Sequence, residues 1–298
     1  KIKEAEKAVE AELAKTRAEL RKLAESQKNM VTKQDIVSLV SERTKIPVQD
    51  LAENDYGKIA QSRSKIKQAI IGQDAAIDQV LRVISQTKLG FVDESKPLAS
   101  FLFLGSSGVG KTFLAKALAK EFFPEEAFIQ LDMSEFHENF QATKLVGAPA
   151  GYVGYREGNK FTDLVKKNPY SLILLDELEK AHPDVIDLFL QILEYGHLTD
   201  SLGRKINFKN TIIVMTTNIL ADKFNKKEIG FSGQAAGANK NFLPELKKHF
   251  KPEFVNRIGN VVAFNDLDQV AIAQILTAEI QRLTAKLKLK GFQISVPA

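Results

Sequence analysis

Eight consecutive residues, Gly105-Ser106-Ser107-Gly108-Val109-Gly110-Lys111-Thr112, have the types and spacing to hold a chain of phosphates. The pattern is G-x-x-x-x-G-K-T. Glycines let a backbone wrap closely round an anion with its N–H groups turned inward. A helix that starts there adds the partial positive charge of its first turn. Lys111 has the reach for the β- and γ-phosphates, and the Thr112 hydroxyl suits Mg²⁺. An apolar run at 101–104 precedes the loop and a helix-like run at 113–119 follows it, the strand–loop–helix setting that such a site requires.

A second group lies downstream. Leu172-Ile173-Leu174-Leu175-Asp176-Glu177 is an apolar run ending in two carboxylates. Many buried strands end in acids. With a phosphate loop upstream, the pair divides two tasks: Asp176 for the shell of Mg²⁺, and Glu177 as the general base that polarises an attacking water. The next apolar run, 211–215, leads to Thr216-Thr217-Asn218. A neutral amide at Asn218 can orient that water without competing for its proton. Read alone, such an Asn is a turn residue.

These groups need a scaffold that brings the ends of separate runs together. Strand-like runs fall at 101–104, 127–131, 172–175, 211–215 and 261–264, and helical segments separate the first four. That alternation predicts an α/β fold with a parallel five-stranded sheet covered on both faces, its ligand beyond the carboxyl ends of the strands. Upstream, residues 1–28 are charged and lack Gly and Pro. Ile2, Ala5, Val9, Leu13, Thr16, Leu20 and Leu23 recur at steps of three and four, a narrow stripe that suits a coiled-coil seam or a solvent-side helix. Thr32 with Asp35 predicts a helix start, with Val31 and Ile36 as a hydrophobic staple, and Pro47 predicts its end. Further helices are expected over 56–70, 75–88 and 266–289, and a strand start at 292–296. The division expected is a helical segment over 1–30, a large α/β unit over 31–265 and the start of a small helical unit over 266–298. The absence of an initial Met suggests a piece of a longer polypeptide.

Composition narrows the chemistry. The 298 residues carry a net charge of +5 and no Cys, which excludes disulfides and thiolate zinc sites. His137, His182, His197 and His249 have no ligand spacing, so surface or packing roles are expected of them. No apolar run has the length of a membrane span, and no nucleic-acid module is visible. Alternating lysines at 286–290 read as a solvated helix face.

From about residue 31 to the end, the order of these elements resembles the AAA+ ATPases, and more closely the second ATPase module of the Clp/Hsp100 unfoldases, ClpC above all. The residues that carry the resemblance include Ile46-Pro47-Val48, Ile71-Gly72-Gln73, the phosphate loop, 131–136, 147–155, Asp176-Glu177-Leu178-Glu179-Lys180-Ala181-His182-Pro183, Leu198-Thr199-Asp200 and 250–258. It implies a three-layer sandwich, ATP and Mg²⁺ as ligands, and a nucleotide-contacting set of Ile71, Gly72, Gly105, Ser107, Gly108, Val109, Gly110, Lys111, Thr112 and Phe113. It implies that Arg257 is an arginine finger that serves a neighbouring subunit of a hexameric ring; without it, Arg257 reads as a surface ion pair. Gly151-Tyr152-Val153-Gly154 is similar to a pore loop whose aromatic ring grips an unfolded protein of any sequence, or else packs a turn. Ile229-Gly230-Phe231 is similar to the tripeptide by which ClpC-, ClpA- and ClpX-like unfoldases dock on a ClpP-type peptidase. A cytoplasmic location, or an organelle of bacterial origin, follows from the family.

Departures from the family pattern are Ser106-Ser107 where many relatives have Pro-Thr, Asn159 in place of a Gly, and the end of the chain before the expected sensor arginine of the small unit, which predicts weak nucleotide binding or a failure to close on the nucleotide. The leading expectation is an ATP-dependent unfoldase feeding a peptidase. The alternatives are a ClpB-type disaggregase, a nucleic-acid remodeller, which the Gly-Tyr-Val-Gly segment disfavours, and a catalytically silent module, which Lys111, Asp176 and Glu177 disfavour.

Overall fold

The computed structural model describes residues 12–13, 15–19, 31–46, 56–90, 93–138, 141–147, 161–219 and 242–290. The chain divides into two compact units, Lys1–Ala52 and Glu53–Ala298. In the first, helix α1 (Lys33–Thr44) opens on a complete capping box. The Asp35 N–H donates to the Thr32 hydroxyl, and the Asp35 carboxylate accepts from the Thr32 N–H. Val31 and Ile36 are both exposed, and α1 has no buried residue. Of the stripe expected over the first segment, the described Leu13 is exposed.

The second unit begins with α2 (Tyr56–Ala69) and α3 (Asp74–Lys88), followed by β1 (Ala99–Leu104) and α4 (Lys111–Phe122). Then come β2 (Phe128–Asp132), α5 (Ala142–Val146), α6 (Phe161–Lys167), β3 (Ser171–Asp176) and α7 (Pro183–Tyr195). A small antiparallel hairpin of β4 (His197–Thr199) and β5 (Lys205–Asn207) leads to β6 (Thr211–Thr217). Helices α8 (Leu243–His249) and α9 (Pro252–Arg257), strand β7 (Asn260–Ala263) and α10 (Gln269–Lys288) complete it. The expected strand at 127–131 starts a residue later, because Glu125–Ala127 form a 3₁₀ turn after Pro124.

Five strands form one parallel sheet in the order β2-β3-β6-β1-β7. A strand covered on both faces is apolar where it is covered, which is why the middles of β1, β3 and β6, at 101–104, 172–175 and 212–215, read as unbroken apolar runs. Alternate residues Leu102, Leu104, Ile173, Leu175, Ile213 and Met215 join one core with Val185, Phe189 and Ile192 of α7 and Phe254 of α9. Their neighbours Phe101, Phe103, Leu172, Leu174 and Val214, equally buried, point to the opposite face. Helices α3 and α4 also pack on the sheet. Only Ala271 of α10 is buried, while Val270, Ile272, Leu276 and Leu283 of its expected apolar stripe are exposed.

Register decides what the sheet can position. Leu102 of β1 pairs with Met215 of β6, and Met215 pairs with Leu175 of β3. One or a few residues beyond that level, at the carboxyl ends of three adjacent strands, come Gly105, Asn218 and Asp176.

Candidate nucleotide site

The loop between β1 and α4 owes its path to glycine. Gly105, Gly108 and Gly110 have φ of 155°, 80° and 104°. At Gly108 and Gly110 an added Cβ would meet nothing within 4 Å among the described residues, and it is the backbone conformation that demands glycine there. At Gly105 a Cβ would lie 2.9 Å from the Cβ of Phe264, so that glycine also permits a close approach. Gly110 caps α4 with no side-chain hydrogen bond, leaving the first-turn N–H groups to the loop's concave side.

Lys111 is 7% exposed. Its ammonium group donates to the Gly105 and Ser106 carbonyl oxygens, each at 2.7 Å, and to Asn218 Oδ1 at 2.8 Å. Burial holds its pKa below the usual lysine value, and the negative charges of Glu179, Asp176 and Glu177 pull it part of the way back. The Thr112 hydroxyl lies 3.0 Å from both carboxylate oxygens of Asp176. The phosphate-loop lysine therefore meets the end of β6, and the adjacent threonine meets the end of β3.

Glu177 follows Asp176 with φ 57° and ψ 52°, one of two non-glycine residues with positive φ among those described. A left-handed backbone at a residue with a Cβ costs about 1–3 kcal/mol and persists where its surroundings impose it. Here the Glu177 N–H donates to Thr216 Oγ1 at 3.0 Å.

Three contributors were not among the residues expected at the site. Thr216, on β6 between the two strands that carry the motifs, donates from its hydroxyl to Asp176 Oδ1 at 2.5 Å. Glu179 accepts the Asn218 N–H at 3.1 Å through Oε1, while its buried Oε2 has no partner among the described residues. Gln73, 1% exposed, donates to the carbonyls of Val109 and Asn265 and accepts from the Asn265 N–H. It thus ties the turn containing Ile71 and Gly72 to the phosphate loop and to the chain leaving β7. Gly72, with φ 81°, sits where a Cβ would approach Ala271 and Leu267 at 3.3 Å. Ser106 adds a second tie, its hydroxyl 2.6 Å from Asp266 Oδ1. Ser107 and Phe113 are exposed at the mouth of the loop.

Arg257 is not brought to this site. It ends α9, and the following Gly259 donates its N–H to Ser100 Oγ at 2.9 Å, at the start of β1. The phosphate loop follows the other end of that strand, about 17 Å away for five residues of extended chain. The Arg257 guanidinium pairs with Glu194 at 2.7 Å and is 43% exposed. The segment Gly151-Tyr152-Val153-Gly154 and the tripeptide Ile229-Gly230-Phe231 lie outside the described residues. His182 caps α7 and His197 contacts the Tyr195 carbonyl. Among the described residues no group of three His, Asp or Glu is placed to hold a metal, and no helix is long and apolar enough to cross a membrane.

Comparison with known proteins places this geometry. The family profile of the AAA domain (Cdc48 subfamily) matches residues 96–261. ClpE of Lactococcus lactis, an ATP-dependent Clp protease ATP-binding subunit, is 42% identical over 268 residues, covering 90% of this chain and 36% of that protein. ClpC/MecB of Bacillus subtilis is 41% identical, covering 89% of this chain and 34% of that protein. The chaperone ClpB of Vibrio vulnificus is also 41% identical, at 90% and 31%. A closed-state cryo-electron-microscopy reconstruction of Hsp104 with ATPγS and FITC casein superposes with a TM-score of 0.76 at 38% identity, over 88% of this chain and 45% of that one. The chain spans about a third of the length of these curated relatives.

Proposed function

Since the chain belongs to the AAA domain family, as an ATPase module of the Clp/Hsp100 type, we propose that it drives protein unfolding and translocation within a hexameric ring of the whole protein. The observation that supports the reading is the pair of contacts from the first residues of α4, Lys111 to Asn218 and Thr112 to Asp176, which bring the glycine loop and a carboxylate together at one end of the sheet.

In this reading the N–H groups of 105–112 and the Lys111 ammonium neutralise the phosphates. Thr112 Oγ1 and the Asp176 carboxylate are hard oxygen donors, and their mutual contact supports Mg²⁺ as the ion they hold. That ion supplies charge neutralisation at the transferring phosphoryl group. Glu177 takes the proton of the attacking water, and Asn218 orients that water. Ile71 and Gly72 border the base. Arg257, at the far end of β1, acts on the neighbouring subunit. Tyr152 grips the substrate chain. A cytoplasmic setting, or an organelle of bacterial origin, fits the relatives.

The decisive experiment is hydrolysis and unfolding by the full-length protein. Tyr152→Ala is expected to retain ATP turnover and to lose unfolding of a tagged substrate; undiminished unfolding contradicts the pore role. For the partner, the position of Ile229-Gly230-Phe231 and the similarity to the ClpE and ClpC subunits support a ClpP-type peptidase. The similarity to ClpB and Hsp104 supports the second reading, a disaggregase acting alone. Deletion of residues 229–231 separates them: loss of co-elution with ClpP, with ATPase intact, is the result expected of the first, and no co-elution by the intact protein is that of the second.

A further inference from the structure

Thr216 was not expected at the site, yet it touches both acids. Its side chain is 1% exposed on a strand whose seven residues are all buried. A hydroxyl has one proton to give and lone pairs to receive. Thr216 gives its proton to Asp176 Oδ1 and receives the backbone N–H of Glu177 at 3.0 Å. The register explains the placement. Leu175 pairs with Met215, so the next step along β3 and β6 sets Asp176 beside Thr216, on the face toward α4. The β-branched side chain has a stiff χ1, so the direction of the hydroxyl is fixed by the strand.

Two consequences follow for the carboxylates. Asp176 accepts hydroxyl protons from Thr112 and from Thr216. Thr112 is the residue proposed to turn its hydroxyl to the metal, and Thr216 is the second hydroxyl on the same carboxylate. Glu177 stands at φ 57° and ψ 52°, where the backbone leaves the extended path of β3. The Thr216 oxygen is the acceptor for its N–H, so one atom sets both the metal-facing carboxylate and the turn that presents the next one.

We propose that Thr216 is a positioning residue for ATP hydrolysis, orienting Asp176 and the left-handed turn at Glu177 through one bifunctional hydroxyl. The inference rests on the proposed roles of those two acids. It also explains why β6, apolar from Ile212 to Met215, turns polar before it ends.

The test uses the full-length protein with Thr216→Val, which keeps the shape and removes the hydroxyl, and Thr216→Ser, which keeps the hydroxyl. Positioning contacts of this kind are worth about 10–100-fold. Thr216→Val is expected to lower kcat by that factor, to raise the Mg²⁺ concentration for half-maximal turnover, and to bind a fluorescent ATP analogue without Mg²⁺ as tightly as the unmodified protein. Thr216→Ser, which keeps the hydroxyl and loses the branch that stiffens χ1, is expected to have a kcat between those of Thr216→Val and the unmodified protein. If the Val variant fails to fold, Thr216→Ala against Thr216→Ser carries the same contrast; equal kcat for those two overturns the inference. So does wild-type turnover by Thr216→Val while Glu177→Gln is inactive, or a parallel loss of Mg²⁺-free nucleotide binding. Normal turnover by Glu177→Gln overturns the assignment of the base and this inference with it.

Discussion

The two ends of β1 are built differently. At its carboxyl end, Lys111, Thr112, Asp176, Thr216 and Asn218 are joined by short hydrogen bonds across three strands and one helix. At its amino end, Arg257 is held, among the described residues, by a half-exposed pair with Glu194, while the backbone beside it is pinned to Ser100. A buried network keeps its geometry, because each group left unpaired costs about 1–3 kcal/mol. An exposed ion pair contributes about 0–1 kcal/mol and exchanges easily. The first arrangement suits groups that act on their own bound nucleotide. The second suits a cation that must leave its partner for another chain's phosphate.

The largest expected effect falls on the loosely held end. Arg257→Ala in the assembled full-length protein is expected to slow hydrolysis by about 10³-fold or more with nucleotide binding intact, as measured by steady-state turnover and analogue binding. Near-normal turnover would reduce Arg257 to a surface ion pair. Glu177→Gln comes next, with a loss of about 10²–10⁴-fold and ATP retained on the ring. Gln73→Ala sharpens the contrast at the rigid end. It strips partners from Val109, Asn265 and the turn at Gly72, and is expected to destabilise by about 1–3 kcal/mol and to weaken nucleotide binding, seen as a lower Tm and a higher Kd. An unchanged Tm would show that the tie does not brace the loop.

The smallest effect concerns pH. Burial lowers the pKa of Lys111 below 10.5, its ordinary value. Between the lowered value and 10.5 the native state has released a proton that the unfolded chain still binds, so this group's contribution to stability rises with pH in that window. Nucleotide affinity runs the other way, since phosphates need the charged ammonium. It is expected to fall with pH across the same window, and Lys111→Arg, which stays charged, is expected to lack that fall.

Most of the rigid end was legible in the sequence. The runs that became β1, β3 and β6 are covered on both faces and therefore apolar without a break, and the glycine spacing of 105–110 reflects backbone angles that other residues avoid. Thr216, Glu179 and Gln73 were not legible as site residues, because their roles come from register and packing between segments distant in sequence. A threonine in a strand is an ordinary β-former. The available hint was the polar pair Thr216-Thr217 closing an apolar central strand just before Asn218. The exposed stripe of α10 shows the converse: periodicity identified the helix, and nothing in it told which face would be covered.

Mixing tests the central claim, that one subunit's cradle works with the next subunit's arginine. Lys111→Ala protomers keep the arginine and lose the cradle; Arg257→Ala protomers do the reverse. Randomly mixed rings of equal amounts are expected to restore about a quarter of the sites, and so to hydrolyse ATP well above the sum of the two variants alone. Mixed rings no more active than that sum, with assembly of both variants verified, would contradict the account.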